Sequence, residues 1–127
     1  MSQTAKLFLS LGAINALLVV VLGAFGAHAL KARLSQEMMT VYQTGIQYHF
    51  YHAVGLLIVG LVATQIPVSG WLKWSGWLML AGIIIFSGSL YTLSISGVRG
   101  FGAITPIGGA AFIIAWALFA VAVFKAH

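Results

Sequence analysis

His49 and His52 stand three residues apart, so on a helix they share one face. Two imidazoles placed that way can hold a metal ion or pass a proton, with His28 available as a third ligand. Gln47 and Tyr48 belong to the same stretch, while Ser87, Ser89 and Tyr91 form a second polar group and Thr105 a third. Ser87 or Ser89 beside His52 would supply a nucleophile and a base, but hydrolysis also wants an orienting acid, and the only acid in the chain is Glu37. The absence of cysteine excludes disulfides, thiolate metal sites and thiol redox chemistry. The plainer reading of the two histidines is that they hydrogen-bond Ser87, Ser89 or a backbone carbonyl and lock helices together. No catalytic residue, metal or cofactor is therefore expected.

The elements that must position these groups follow from composition. Of 127 residues 61% are hydrophobic and only 6% charged, whereas soluble domains carry roughly a quarter charged residues. The net charge of +5 would suggest a nucleic-acid partner in a soluble chain. Here Lys6, Lys31, Arg33, Lys73, Arg99 and Lys125 are scattered between long apolar tracts, which is the pattern of an integral membrane protein with cationic loops. A bilayer core needs about 20 apolar residues per helical span. Uncharged tracts and the break at Pro67, Ser69 and Gly70 predict spans over about 7–29, 44–65, 72–96 and 103–124. The expected fold is all-α: one membrane domain over residues 1–127, a four-helix bundle with short loops. Lys6, the apolar run and Ala27-His28-Ala29 also resemble a signal peptide, but the run is longer than the usual signal core of about 7–15 residues, which favours a retained span.

Ser35 can cap a second helix that begins near Gln36, with Glu37 in its first turn where negative charge suits the helix dipole. Trp71, Trp74 and Trp77 mark the start of the third helix as an interfacial belt. An even number of spans puts Lys6, Lys73 and Lys125 on one side and Lys31, Arg33 and Arg99 on the other. That tie leaves the free amino terminus to favour cytoplasmic termini.

Helices in lipid associate through small residues and interhelical hydrogen bonds. Gly12, Ala16, Gly23 and Ala27 on helix one, Gly76, Ala81, Gly82 and Gly88 on helix three, and Gly108, Ala111, Ala115 and Ala122 on helix four supply close-approach points. They let four helices nest, or provide a seam for a homo-oligomer. Assigned a depth, the polar residues gather at one membrane face: His28 ends helix one, Gln47, His49 and His52 lie in the first half of helix two, Ser87, Ser89 and Tyr91 end helix three, and Thr105 starts helix four. The opposite half holds mainly Asn15 and Thr64. Gly23 to His28, including Gly26, and Ile104 to Gly109 frame this cluster; Thr105 would cap helix four with Pro106 in its first turn and Gly108 and Gly109 following.

The runs GAFGAHAL at Gly23 to Leu30, QYHFYHA at Gln47 to Ala53, FSGSLY at Phe86 to Tyr91 and ITPIGG at Ile104 to Gly109 resemble the bacterial family called domain of unknown function 423. That family includes the YgdD-type inner-membrane proteins and is similar to the eukaryotic transmembrane protein 256. The resemblance spans nearly the whole chain and implies a small four-helix protein of the bacterial inner membrane. It assigns no activity, substrate or catalytic residue. Three functions remain open from sequence. One is a non-enzymatic accessory protein that binds lipid or another membrane protein at the polar end. The second is a small, oligomeric transporter or channel that uses His28 and His52. The third is a metal- or haem-bearing redox subunit. Four-helix drug exporters need a membrane-embedded carboxylate, which is missing here.

Overall fold

The computed structural model describes all of residues 1–127, in which helices joined by short turns make up the fold and no strand occurs. Four helices long and apolar enough to cross a membrane run Gln3–Leu30 (α1), Gln36–Val62 (α2), Gly70–Ser96 (α3) and Arg99–Phe124; the last opens with a 3₁₀ turn, Arg99–Ala103, before the α-helix Thr105–Phe124 (α4). The starts of α1, α2 and α3 are set by serine caps, each accepting a backbone N–H three residues on: Ser2 from Ala5, Ser35 from Met38 and Ser69 from Leu72. α2 stops at Val62 in a short turn ahead of Pro67, and α3 ends at Gly97, whose φ of 73° is the left-handed cap that a residue without Cβ adopts freely. Helix α2 thus begins at Gln36, as its capping residues predict.

The chain runs up and down, with α1 packed along α2, α3 along α4, and α2 also against α3. Close approach sets both hairpins. A Cβ on Gly12 would lie 2.8 Å from the backbone nitrogen of Leu57, and one on Gly60 would lie 2.8 Å from that of Leu9, so α1 and α2 each present a glycine to the other's backbone. On the other hairpin, Gly108 of α4 sits directly on the backbone of Phe86 in α3. Between them lies a core of Phe8, Leu56, Val59, Leu72, Met79, Ile83, Phe112 and Ala115. Gly76 accommodates the Phe8 ring and Gly82 that of Phe112. Gly23 and Gly88, read from sequence as packing points, face open space instead, so no neighbouring atom dictates their lack of a side chain.

Two helices carry a widened turn that the sequence does not announce. In α1 residues Gly26–Leu30 form a π-turn, with Lys31 N–H bonded to the Gly26 carbonyl; in α3 residues Ile83–Ser87 do the same, with Gly88 N–H reaching Ile83. Each lies within or beside a glycine-bearing run, GAFGAHAL or FSGSLY. Widened turns carry an extra residue and redirect side chains and carbonyls. The first lies just beyond the carbonyl of Leu22, which accepts both Gly26 N–H and the Tyr42 hydroxyl at 2.5 Å. The second holds Ser87, whose hydroxyl donates to the Gly45 carbonyl of α2 at 2.7 Å.

At the termini end, Lys125 Nζ lies 5.2 Å from the centre of the Trp71 ring. At the opposite end, Arg99 and Glu37 form an exposed ion pair at 3.1 Å, joining the 3₁₀ turn to the start of α2. Adjacent glycines on α4 give a direct test of the packing. Gly108→Ala should separate α3 from α4 and lower resistance to detergent-induced unfolding sharply. By contrast, Gly109→Ala, whose nearest neighbour is the Phe86 ring at 3.8 Å, should leave stability unchanged or raise it by up to about 1 kcal/mol. Equal losses in the two variants would contradict the close-approach account.

Candidate functional site

The structure distributes the polar residues over four interhelical contacts. His49 is at the centre of the most extensive. Its Nδ1 lies 2.8 Å from the Tyr91 hydroxyl of α3, and its Nε2 lies 2.9 Å from Asn15 Oδ1 of α1. Asn15 Nδ2 donates to the Leu11 carbonyl at 2.8 Å, so its oxygen is the acceptor and His49 Nε2 must carry the proton. The Tyr91 hydroxyl then donates to Nδ1. Asn15 and His49 are both buried, at 6% and 3% exposure.

His52 pairs with different partners and takes the other tautomer. Its Nδ1 lies 2.7 Å from the Tyr48 carbonyl, an acceptor only, so Nδ1 bears the hydrogen; its Nε2 accepts the indole N–H of Trp116 in α4 at 3.0 Å. Phe112 stacks on the imidazole at 3.5 Å between centroids and 8° between planes. The third contact joins α3 to α4: the Ser89 and Thr105 hydroxyls are 2.6 Å apart. The fourth is the Ser87 bond to the Gly45 carbonyl.

These contacts revise several expectations. Asn15, read from sequence as belonging to the other half, is the partner of His49. With α2 running from Gln36 to Val62, His49 lies about 20 Å along a helix about 40 Å long, near its midpoint. Ser87 and Ser89 bond neither histidine, so no nucleophile–base pair forms. Thr105 does not cap α4, which has Ile104 at that position with no side-chain cap; its hydroxyl goes to Ser89 instead. The His28 side chain is exposed near the end of α1, makes no hydrogen bond, and joins neither buried histidine. Nowhere do three His, Cys, Asp or Glu side chains come together as metal ligands would. All four ring nitrogens of His49 and His52 are already committed to protein partners.

Outside this interior lies a concave groove of about 720 Å³ between α2 and α4. Tyr48, Tyr51, Phe86, Phe112 and Trp116 supply ring walls, His52 lies at the back, and Gly109 leaves the α4 side low. Tyr48 stands against Phe86 at 4.7 Å between ring centres. Tyr51 receives a hydrogen bond from Gln47 Nε2 at 2.6 Å, and all three of Gln47, Tyr48 and Tyr51 are exposed. Of the candidate residues, then, Gln47 and Tyr48 are on the outer surface, and His49, His52, Ser87 and Ser89 are buried, His52 directly behind the groove. Sequence reasoning missed Asn15, Tyr51 and the part Trp116 plays; the spacing of Gln47 and Tyr51, four residues apart on one helix face, was the available signal for the second.

Comparison with known proteins agrees with the architecture. The family described as "Protein of unknown function (DUF423)" matches residues 22–109. A protein of Bacillus subtilis (strain 168), "UPF0382 membrane protein YwdK", is 52% identical over 120 residues, covering 94% of this chain and 98% of the relative. A "UPF0382 membrane protein" of Staphylococcus epidermidis (strain ATCC 12228 / FDA PCI 1200) is 46% identical over 120 residues, covering 94% and 97%. No solved structure matches.

The tautomers are directly testable. Nitrogen-15 spectra of the labelled protein in bilayers should show His49 protonated at Nε2 and His52 at Nδ1; the same tautomer at both positions would contradict the assigned bonds. A double-mutant cycle of Asn15→Ala and His49→Ala should give a coupling of about 0.6–2 kcal/mol, the range for hydrogen bonds between membrane helices. Additive losses would mean that the two side chains do not hold each other.

With four membrane-length helices, a matching family profile over most of its length and relatives named as membrane proteins, the chain belongs to the DUF423 family of multi-pass membrane proteins.

Proposed function

We propose that this protein is a non-enzymatic accessory protein of the bacterial inner membrane, its termini in the cytoplasm, which binds a lipophilic molecule or another membrane protein through the outward face of α2 and α4. The observation that carries this reading is a contrast. Inside the bundle His49 is satisfied by Asn15 and Tyr91, and His52 by the Tyr48 carbonyl and Trp116, leaving no free base beside a nucleophile. On the outside, Gln47, Tyr48 and Tyr51 project from the middle of a membrane span beside an aromatic groove. Polar groups at that depth are costly unless something pairs with them. The bilayer itself covers the remaining apolar faces of α1 and α4, and the free amino terminus favours placing that end on the cytoplasmic side.

Extraction from the native membrane into polymer nanodiscs, followed by native mass spectrometry, tests the reading. A bound small molecule or partner chain should accompany the wild type and fall at least about fivefold in Gln47→Leu and in Gly109→Leu, which fills the groove. Equal occupancy in all three, or none in any, would contradict it. The site differs from the polar end drawn from sequence, because Ser87 to Tyr91 serve the interior and changing them would loosen the bundle instead of clearing a surface.

A further inference from the structure

We propose that the α2–α4 groove takes a quinone-class molecule: a flat ring bearing carbonyl oxygens and carrying a lipophilic tail. This rests on the reading of that face as the binding surface and adds the chemistry of the occupant. The groove, at about 720 Å³, is of a size to hold one such ring and the start of its tail. Its walls are ring faces from three helices, which suit a planar guest better than a branched one. Tyr48 and Tyr51 bring the phenols to the groove, and Gln47, one turn before Tyr51, holds the Tyr51 hydroxyl. The Tyr51 hydroxyl accepts from Gln47, so its own hydrogen is unspent. The Tyr48 hydroxyl has no partner within the chain; the side chain that bonds this residue, His52, reaches its backbone carbonyl. Tyr48 and Tyr51 lie about 18 and 22 Å along α2, near its midpoint, where hydrocarbon offers their phenols no acceptor.

Other occupants leave this surface incomplete. An acyl chain would cover the rings but leave both phenol hydrogens unpaired. A second copy related by a two-fold axis must present a self-complementary patch, and a groove opposed to its own copy leaves a void. A carbonyl-bearing ring accepts from the phenols and stacks on the aromatic walls at once. Gly109 adds an independent sign. No atom closer than 3.8 Å prevents a side chain there, unlike at neighbouring Gly108, so its bareness keeps the groove open and is not demanded by packing.

The test uses the full chain in phospholipid nanodiscs with Trp71, Trp74 and Trp77 changed to Phe, which leaves Trp116 as the single tryptophan of the four. Decylubiquinone is the probe, and its quenching of Trp116 fluorescence the readout. Quenching should saturate at one probe per chain. Gly109→Leu should abolish the saturable phase, and the double change Tyr48→Phe, Tyr51→Phe, which keeps both rings, should weaken binding about tenfold, as loss of two neutral hydrogen bonds implies. Helical melting followed by circular dichroism checks that each variant is folded; should Gly109→Leu unfold, the tyrosine pair carries the test alone. Quenching that rises linearly with probe, or saturable binding that ignores the tyrosine change, overturns the proposal. A phospholipid or partner chain retained in native mass spectra and lost in Gly109→Leu, with no saturable quinone binding, would overturn the quinone assignment and leave the accessory-binding reading standing. Absence of both would end the two together.

Discussion

The hydrogen bonds through the His49 ring hold three helices at the level where the bilayer offers no substitute. Asn15 of α1 and Tyr91 of α3 meet the imidazole from opposite sides, and each nitrogen has one partner. In water such a side chain could trade these bonds for solvent, and the net contribution would be small. Near the middle of a span the alternative is a buried group with nothing to bond. The exchange fixes the rotation of α1, α2 and α3 about their axes, since turning α2 would break both bonds and turning α1 or α3 would leave one imidazole nitrogen unpaired. Tyr42, bonded to the Leu22 carbonyl, extends the same α1–α2 seam toward the far end, with its ring against that of Tyr91 at 5.3 Å.

Everything else about the packing is compatible with that constraint because the helices come close enough. Lipid tails do not drive helices together by hydrophobicity, so contact area at short range has to do it. The reciprocal glycines Gly12 and Gly60 bring α1 and α2 to backbone contact, and Gly108 does so for α3 and α4. The widened turn at Ile83–Ser87 brings Ser87 to the Gly45 carbonyl and Phe86 to the surface that Gly108 meets. One buried hydroxyl remains without a partner, that of Ser75 on α3, wholly inaccessible near the Phe8 contact; nothing in the structure explains it.

The four spans, the Ser35 cap and the start of α2 were legible because they depend on local chemistry: apolar length, a capping hydroxyl, a proline that stops a helix. The division of cations between the two ends followed from the number of spans. The pairing of His49 with Asn15 was not legible, since it joins residues 34 apart in sequence and depends on how far each helix extends beyond its apolar tract. The predicted span of about 44–65 put both histidines in its first half, whereas in the helix Gln36–Val62 they lie near and just past the midpoint. Glycine motifs flagged the right places, but their spacing does not distinguish Gly108, pressed on a backbone, from Gly88, which faces open space. The widened turns have no periodicity of their own and become visible only through the carbonyls they redirect.

Function follows the same division between inside and outside. Apart from the Ser75 hydroxyl, the interior polar groups are paired and build the scaffold; the phenols of Tyr48 and Tyr51, with unspent hydrogens, lie outside beside the aromatic groove. That the buried cluster is dry and closed is the claim on which this division depends. Water-edited solid-state nuclear magnetic resonance in bilayers measures it most directly, by the rate at which magnetisation passes from water to each histidine side chain. His49 and His52 should polarise several-fold more slowly than exposed His28. Build-up at His49 as fast as at His28 would reveal a hydrated cavity and contradict the account.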